Sequence, residues 1–149
     1  SWMTKVSEIM SKGVASLESK ETATTASKKM TEEGFGCLLV TRKGRVVGIV
    51  TERDLVRKVL AENGDPDKIR LEEIMSQPVI TVGPSVHVAD ASKLMSEKRI
   101  RRLPVMEGDM LVGIVTTTDI ARYLAKTKSD LDPLINAMAR QAAGEGPYK

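Results

Sequence analysis

The chain has 149 residues, 41% of them hydrophobic and 29% charged, with a formal net charge of +3 and 3% aromatics. That length holds one compact domain or two small units sharing a core, and the balance is that of a globular protein. No apolar run approaches the ~20 residues of a membrane span and nothing reads as a signal peptide; the charge is too small to imply nucleic acid and the aromatics too few for stacking single-stranded bases.

One cysteine, Cys37, rules out an intrachain disulfide, and its neighbours Gly36, Leu38 and Leu39 suggest a buried, inert thiol. One histidine, His87, excludes a histidine-rich metal site. The expectation is a cytoplasmic protein without a metal.

In chain order, a short helix-like segment spans residues 6–11 and an extended stretch follows at 14–17. An amphipathic helix is expected near 24–33, with Ala26 and Met30 on one face. Two strands, 37–41 and 46–51, flank Arg42-Lys43-Gly44-Arg45, which reads as a hairpin turn. A second helix over 52–62 is stopped by Asn63-Gly64-Asp65-Pro66. The order then repeats. A helix-like segment at 71–76 precedes an extended stretch at 79–82, the turn Gly83-Pro84-Ser85 and a helix near 88–98 carrying Ala91, Leu94 and Met95. Strands at 103–106 and 110–116 turn at Glu107-Gly108-Asp109, and a helix covers 117–126. A short helix over Leu131–Ala143 has no counterpart in the first copy.

This is an internal duplication. Residues 6–59 align with 71–124 without a gap, 65 residues apart, with 19 identities in 54 positions. The copies are taken as 6–62 and 71–126, with 63–70 as linker and 127–149 as a C-terminal extension. A single copy buries too little surface to be comfortable alone. Two βαββα-type copies therefore fold as one α+β body about a pseudo-twofold axis.

The segment Gly48-Ile49-Val50-Thr51-Glu52-Arg53-Asp54 returns as Gly113-Ile114-Val115-Thr116-Thr117-Thr118-Asp119, a strand running into a helix. The structural explanation is a capping box, with Thr51 or Thr116 as N-cap and an acid three residues on. Two features point further. Glycine inside a β-branched strand often marks close approach of a backbone or ligand, and a helix N-terminus is an anion site. A Thr hydroxyl can meet a phosphate there, and a carboxylate can accept from ribose hydroxyls. No Ser/His/Asp arrangement, paired-carboxylate site, metal cluster or Walker-type loop accompanies the motif, so no catalytic residue is assigned.

With these junctions, the Ile-Met-Ser opening each copy, Ile80-Thr81-Val82-Gly83-Pro84, Ala91-Ser92-Lys93-Leu94-Met95 and Ile100-Arg101-Arg102-Leu103-Pro104-Val105, the chain resembles a pair of cystathionine-β-synthase (CBS) domains, a Bateman module. The resemblance covers residues 6–124. The first copy departs from it in having Leu39 at the place of Pro104 and no counterpart of Pro84.

The resemblance implies two motifs packed through their sheets and adenine nucleotides in two clefts beside the pseudo-dyad, with the junction Asp on ribose, the preceding Thr on phosphate, and the opening stretch of the other copy on the base. One cleft would then combine Thr116, Thr118 and Asp119 with Val14, Ala15 and Ser16. The other would combine Thr51, Arg53 and Asp54 with Ile80, Thr81 and Val82. Arg101 and Arg102 would reach phosphates in the first, where the second has only Gly36 and Cys37, so the Asp119 cleft is expected to be the better site.

The function so implied is a stand-alone regulatory module. It would bind AMP, ADP, ATP or S-adenosylmethionine, require no cofactor, and signal by a shift of conformation or association. A homodimer through the second helices and a separate effector protein are the expected partners; membrane and nucleic acid are not. The alternative is a ligand-independent dimerisation or protein-interaction module in which the Thr/Asp pairs are only caps.

Overall fold

The computed structural model describes residues 3–127 and residues 137, 138, 140 and 141. Most of the helix expected over Leu131–Ala143 lies outside the described residues. The fold is α+β, with five strands and five helical segments labelled here in chain order. After a 3₁₀ turn at Val6–Glu8 come β1 (Ser16–Glu18), α1 (Ala23–Glu33), β2 (Cys37–Arg42), β3 (Arg45–Thr51) and α2 (Glu52–Asp54), which continues as a π-helical segment, Leu55–Leu60. The second series is α3 (Leu71–Ile74), α4 (Val88–Lys98), β4 (Arg102–Glu107), β5 (Met110–Thr116) and α5 (Thr117–Thr127).

The chain forms two compact units that are offset from the sequence copies. One is residues 14–79; the other joins residues 1–13 to the chain from Ile80 onward. They are called here the Asp54 unit and the Asp119 unit.

In the Asp54 unit, β1 pairs parallel to β2 and β2 antiparallel to β3. The hairpin turns on Lys43 (φ 52) and Gly44 (φ 75), both left-handed, as a tight two-residue connection requires. Thr22 caps α1 by accepting the Thr25 N–H at 3.2 Å, and Gly34 ends it at φ 72. Its inner face, Ala23, Ala26 and Met30, packs with Leu38, Val40 and Val50 of the sheet and with Leu71, Ile74 and Met75 from the start of the second copy. Ser76 and Ile49 exchange backbone hydrogen bonds at 2.9 and 3.2 Å. Glu72 reinforces this join by binding Lys20 at 2.8 Å and Arg42 at 3.3 Å. The Lys20 hydrogen bond, with Arg42 adding to it, holds the Glu72 carboxyl below its usual pKa.

The Asp119 unit repeats the scheme with the start of the first copy. β4 and β5 pair antiparallel, and Val82 bridges Val105 in parallel where β1 stood in the other unit. Val6, which has no exposed surface, enters the core of Val88, Ala91, Met95, Leu103 and Val115. Ser11 and Ile114 exchange two hydrogen bonds of 2.9 Å each. Full burial of one such aliphatic side chain contributes roughly 1.5–3 kcal/mol, so the borrowed segments are part of each core.

Candidate functional site

Each strand-to-helix junction is a completed capping box. At the first, Thr51 Oγ1 accepts the Asp54 N–H at 3.2 Å, while Asp54 Oδ2 accepts the Thr51 N–H at 2.9 Å and its hydroxyl at 3.2 Å. At the second, Thr116 Oγ1 accepts the Asp119 N–H at 3.2 Å, and Asp119 Oδ2 accepts the Thr116 N–H at 2.8 Å and its hydroxyl at 3.0 Å. The first helical N–H groups are also used: Glu52 donates to Gly36 O at 3.1 Å and Thr117 to Arg101 O at 3.0 Å. Two first-turn donors at each helix start are therefore satisfied within the protein, which narrows the anion site that a bare helix end would offer.

The glycines have an internal explanation. A Cβ at Gly113 would stand 2.6 Å from Met10 Sδ and 2.8 Å from Ser11 O, and one at Gly48 would collide with the Met75 side chain. What approaches each glycine is the Ile-Met-Ser segment of its own unit. A ligand is not needed to account for them.

The acceptor left outside the capping box at the second junction is Asp119 Oδ1. Asp119 is 9% exposed, and Oδ1 meets Arg122 Nη1 at 3.5 Å, the limit of a hydrogen bond. The residue lines a depression of about 430 Å³ with Thr4, Glu8, Ile9, Arg122, Tyr123 and Lys126. Its wall is mixed: Ile9 is apolar, the Tyr123 hydroxyl donates to Thr4 Oγ1 at 3.0 Å, and Arg122 and Lys126 supply positive charge. Such a surface accepts hydroxyl donors at the carboxylate and anionic groups at the cations.

At the first junction, Asp54 Oδ1 takes Lys58 Nζ at 3.1 Å instead. The residues around the Asp119 depression escape a motif search because they come from two helical turns far apart in sequence. The duplication holds a faint signal: Glu8, Ile9 and Arg122 match Glu73, Ile74 and Arg57 at the 65-residue offset.

The other candidate residues distribute by unit. Arg102 opens β4 directly opposite Thr116 and is half-buried, Arg101 is exposed, and Thr118 is half-buried on the first turn of α5. Ile80, Thr81 and Val82 belong to this same unit. Val14, Ala15 and Ser16 lead into β1 of the Asp54 unit, where Ala15 O accepts the Leu39 N–H at 3.0 Å. There Cys37 stands opposite Thr51, Gly36 holds the helix start, and Arg53 is exposed. Each unit thus joins the opening stretch of a copy to the junction of that same copy. The exchanged groupings implied by the resemblance draw on different units. Cys37 is half-buried, not buried as its apolar flanks suggested, because it begins the strand beside the junction.

Among the described residues no group of three or more His, Cys, Asp or Glu side chains is placed to hold a metal. No described helix is long and apolar enough to cross a membrane.

The CBS domain family model matches residues 6–61 and 71–126. Uncharacterized protein MK0525 of Methanopyrus kandleri is 43% identical over 127 residues, which are 82% of this chain and 65% of that protein. A putative signal-transduction protein with CBS domains from Burkholderia ambifaria superposes with a TM-score of 0.76 at 32% identity, covering 87% of this chain and 97% of the other. The CBS domain pair of protein MJ0100, solved in complex with 5′-methylthioadenosine and S-adenosyl-L-methionine, superposes with a TM-score of 0.76 at 33% identity, covering 85% and 99%. Two family matches 65 residues apart, on copies that share the helix–strand–strand–helix order and the same capped junction, make this chain a tandem CBS pair of the CBS domain family.

Proposed function

We propose that this CBS pair is a regulatory module, not an enzyme, and that it binds an adenosine-containing small molecule (AMP, ADP, ATP or S-adenosylmethionine) at the Asp119 junction. The observation that carries the reading is Asp119 Oδ1, held by the capping box at the wall of a depression of about 430 Å³. The complex of MJ0100 with two adenosine compounds supports the ligand class.

In this reading Asp119 Oδ1 accepts a ribose hydroxyl, and Arg122 turns from the carboxylate to the ligand. Lys126, Arg101 and Arg102 attract an anionic or carboxylate-bearing tail, and Thr116 holds the carboxylate in place from within the capping box. The ligand then signals by favouring one conformation or association state. A homodimer through α5 and the π-helical segment is the proposed assembly, since Val56 and Leu60 are 55% and 66% exposed.

The alternative reading, an interaction module without a ligand, draws support from capping boxes that are complete without one. A thermal-shift and calorimetric screen of the four candidate ligands separates the two. Ligand at 100 times its Kd adds about 2.7 kcal/mol of stability. That gain is expected to vanish in Asp119→Ala and to survive in Asp54→Ala, which loses an equivalent cap. No gain with any ligand favours the interaction module, while a gain lost equally in both variants removes the assignment of the ligand to Asp119.

A further inference from the structure

The two copies treat their junction carboxylates differently. At the 65-residue offset, Glu8, Ile9, Asp119 and Arg122 of the depression become Glu73, Ile74, Asp54 and Arg57, while Thr4, Tyr123 and Lys126 become Ile69, Lys58 and Ala61. The local scaffold is kept. Glu8 Oε2 accepts the Lys5 N–H at 2.7 Å, and Glu73 Oε2 accepts the Arg70 N–H at the same distance.

The changed positions alter what faces the carboxylate. The Tyr123 hydroxyl donates to Thr4 Oγ1 at 3.0 Å. Lys58, its counterpart, places Nζ 3.1 Å from Asp54 Oδ1 and 2.9 Å from Ile74 O. The ammonium is thereby tied at once to the junction acid and to the backbone of Ile74, the counterpart of Ile9. Lys58 stands four positions after Asp54, the spacing at which side chains on one helix meet. The segment Leu55–Leu60 that carries it is π-helical, with Ala61 N–H reaching Val56 O at 2.8 Å. In α5 the acid's partner is Arg122, three positions on.

We propose that Lys58 is a built-in occupant of the Asp54 junction, a specificity-determining residue that closes this copy to the ligand and leaves the chain one ligand site, at Asp119. The proposal rests on the ligand reading of the Asp119 junction given above. A diol that accepts Asp54 as its partner must displace an ammonium held from two sides, whereas at Asp119 it displaces one long contact to Arg122. The replacement of Lys126 by Ala61 also removes a rim cation that would draw an anionic ligand.

Equilibrium dialysis of the full chain with labelled AMP and, separately, labelled S-adenosylmethionine tests this. Wild type is expected to bind one equivalent per chain, lost in Asp119→Asn and kept in Asp54→Asn. Lys58→Tyr, which restores the second copy's residue, is expected to bind two, the added one being lost again on Asp54→Asn. Lys58→Met, of similar length and without the charge, gives the same reading should the tyrosine variant fold poorly. Two equivalents in wild type, or one in both Lys58 variants, overturns the role of Lys58 while leaving the Asp119 site intact. No binding by wild type but one equivalent in a Lys58 variant supports the occupant role and sinks the Asp119 reading. No binding by any form sinks both.

Discussion

Gly48 and Gly113 occupy equivalent strand positions, yet their surroundings differ in what can yield. The nearest atoms to an added Cβ at Gly48 are all Met75 side chain, whereas at Gly113 the Ser11 carbonyl oxygen stands 2.8 Å away. The thioether end of Met75 can swing aside, leaving only its Cβ 2.9 Å away, while a backbone oxygen engaged in strand pairing cannot yield. Gly113→Ala is therefore expected to cost about 1–3 kcal/mol of overpacking, with Gly48→Ala costing clearly less. Urea denaturation of both variants checks the order, and an equal or reversed cost would refute the backbone argument. From the sequence alone these glycines pointed to a close approach, which was right. That the approaching group was a methionine of the protein itself was not legible, because nothing local says which segment lies over a strand.

At the scale of the element, the helices illustrate how far patterning reaches. The expected helix at 88–98 matches α4, and the hairpin turn at Lys43-Gly44 matches its left-handed residues. The helix ends differ between copies in a testable way. α1 ends on Gly34, whereas α4 ends on Arg99, a non-glycine residue at φ 55. A left-handed residue with a Cβ costs ~1–2 kcal/mol, and glycine returns part of that gain as backbone entropy. Arg99→Gly is expected to stabilise the protein by roughly 0.5–1 kcal/mol net. A fall in Tm would show that the Arg99 side chain contributes more than its backbone strain costs. The second helix of the first copy was legible as a helix but not as a π-helical one. Over so short a run the residue pattern carries no mark of the shift from i+4 to i+5 hydrogen bonding; Val59, 2% exposed, is the segment's buried residue.

For the whole molecule, the decisive fact is that sequence copies and compact units are offset. Residues 1–13 belong with the second copy's strands through Val6, Met10 and the Ser11–Ile114 pair. Removing them is expected to cost the Asp119 unit at least about 3 kcal/mol, from the lost burial of Val6 and Met10. Hydrogen exchange is the direct measurement: amides of β5 should lose protection while those of β3 keep it. Uniform loss, or protection lost in β3 first, would contradict the assignment of the units.

Sequence by itself determined the duplication, the βαββα order of the first copy and the αββα order of the second, the capping boxes at Thr51–Asp54 and Thr116–Asp119, and the CBS resemblance. These rest on short-range rules, periodicity and cap spacing, that local residues obey wherever they fold. Tertiary structure decided which opening segment completes which sheet, what fills the space over each glycine, and which groups surround each junction acid. Asp119 with a depression and Asp54 under Lys58 look alike as motifs. They differ because contacts between residues far apart in sequence are chosen by packing, for which a linear motif carries no record.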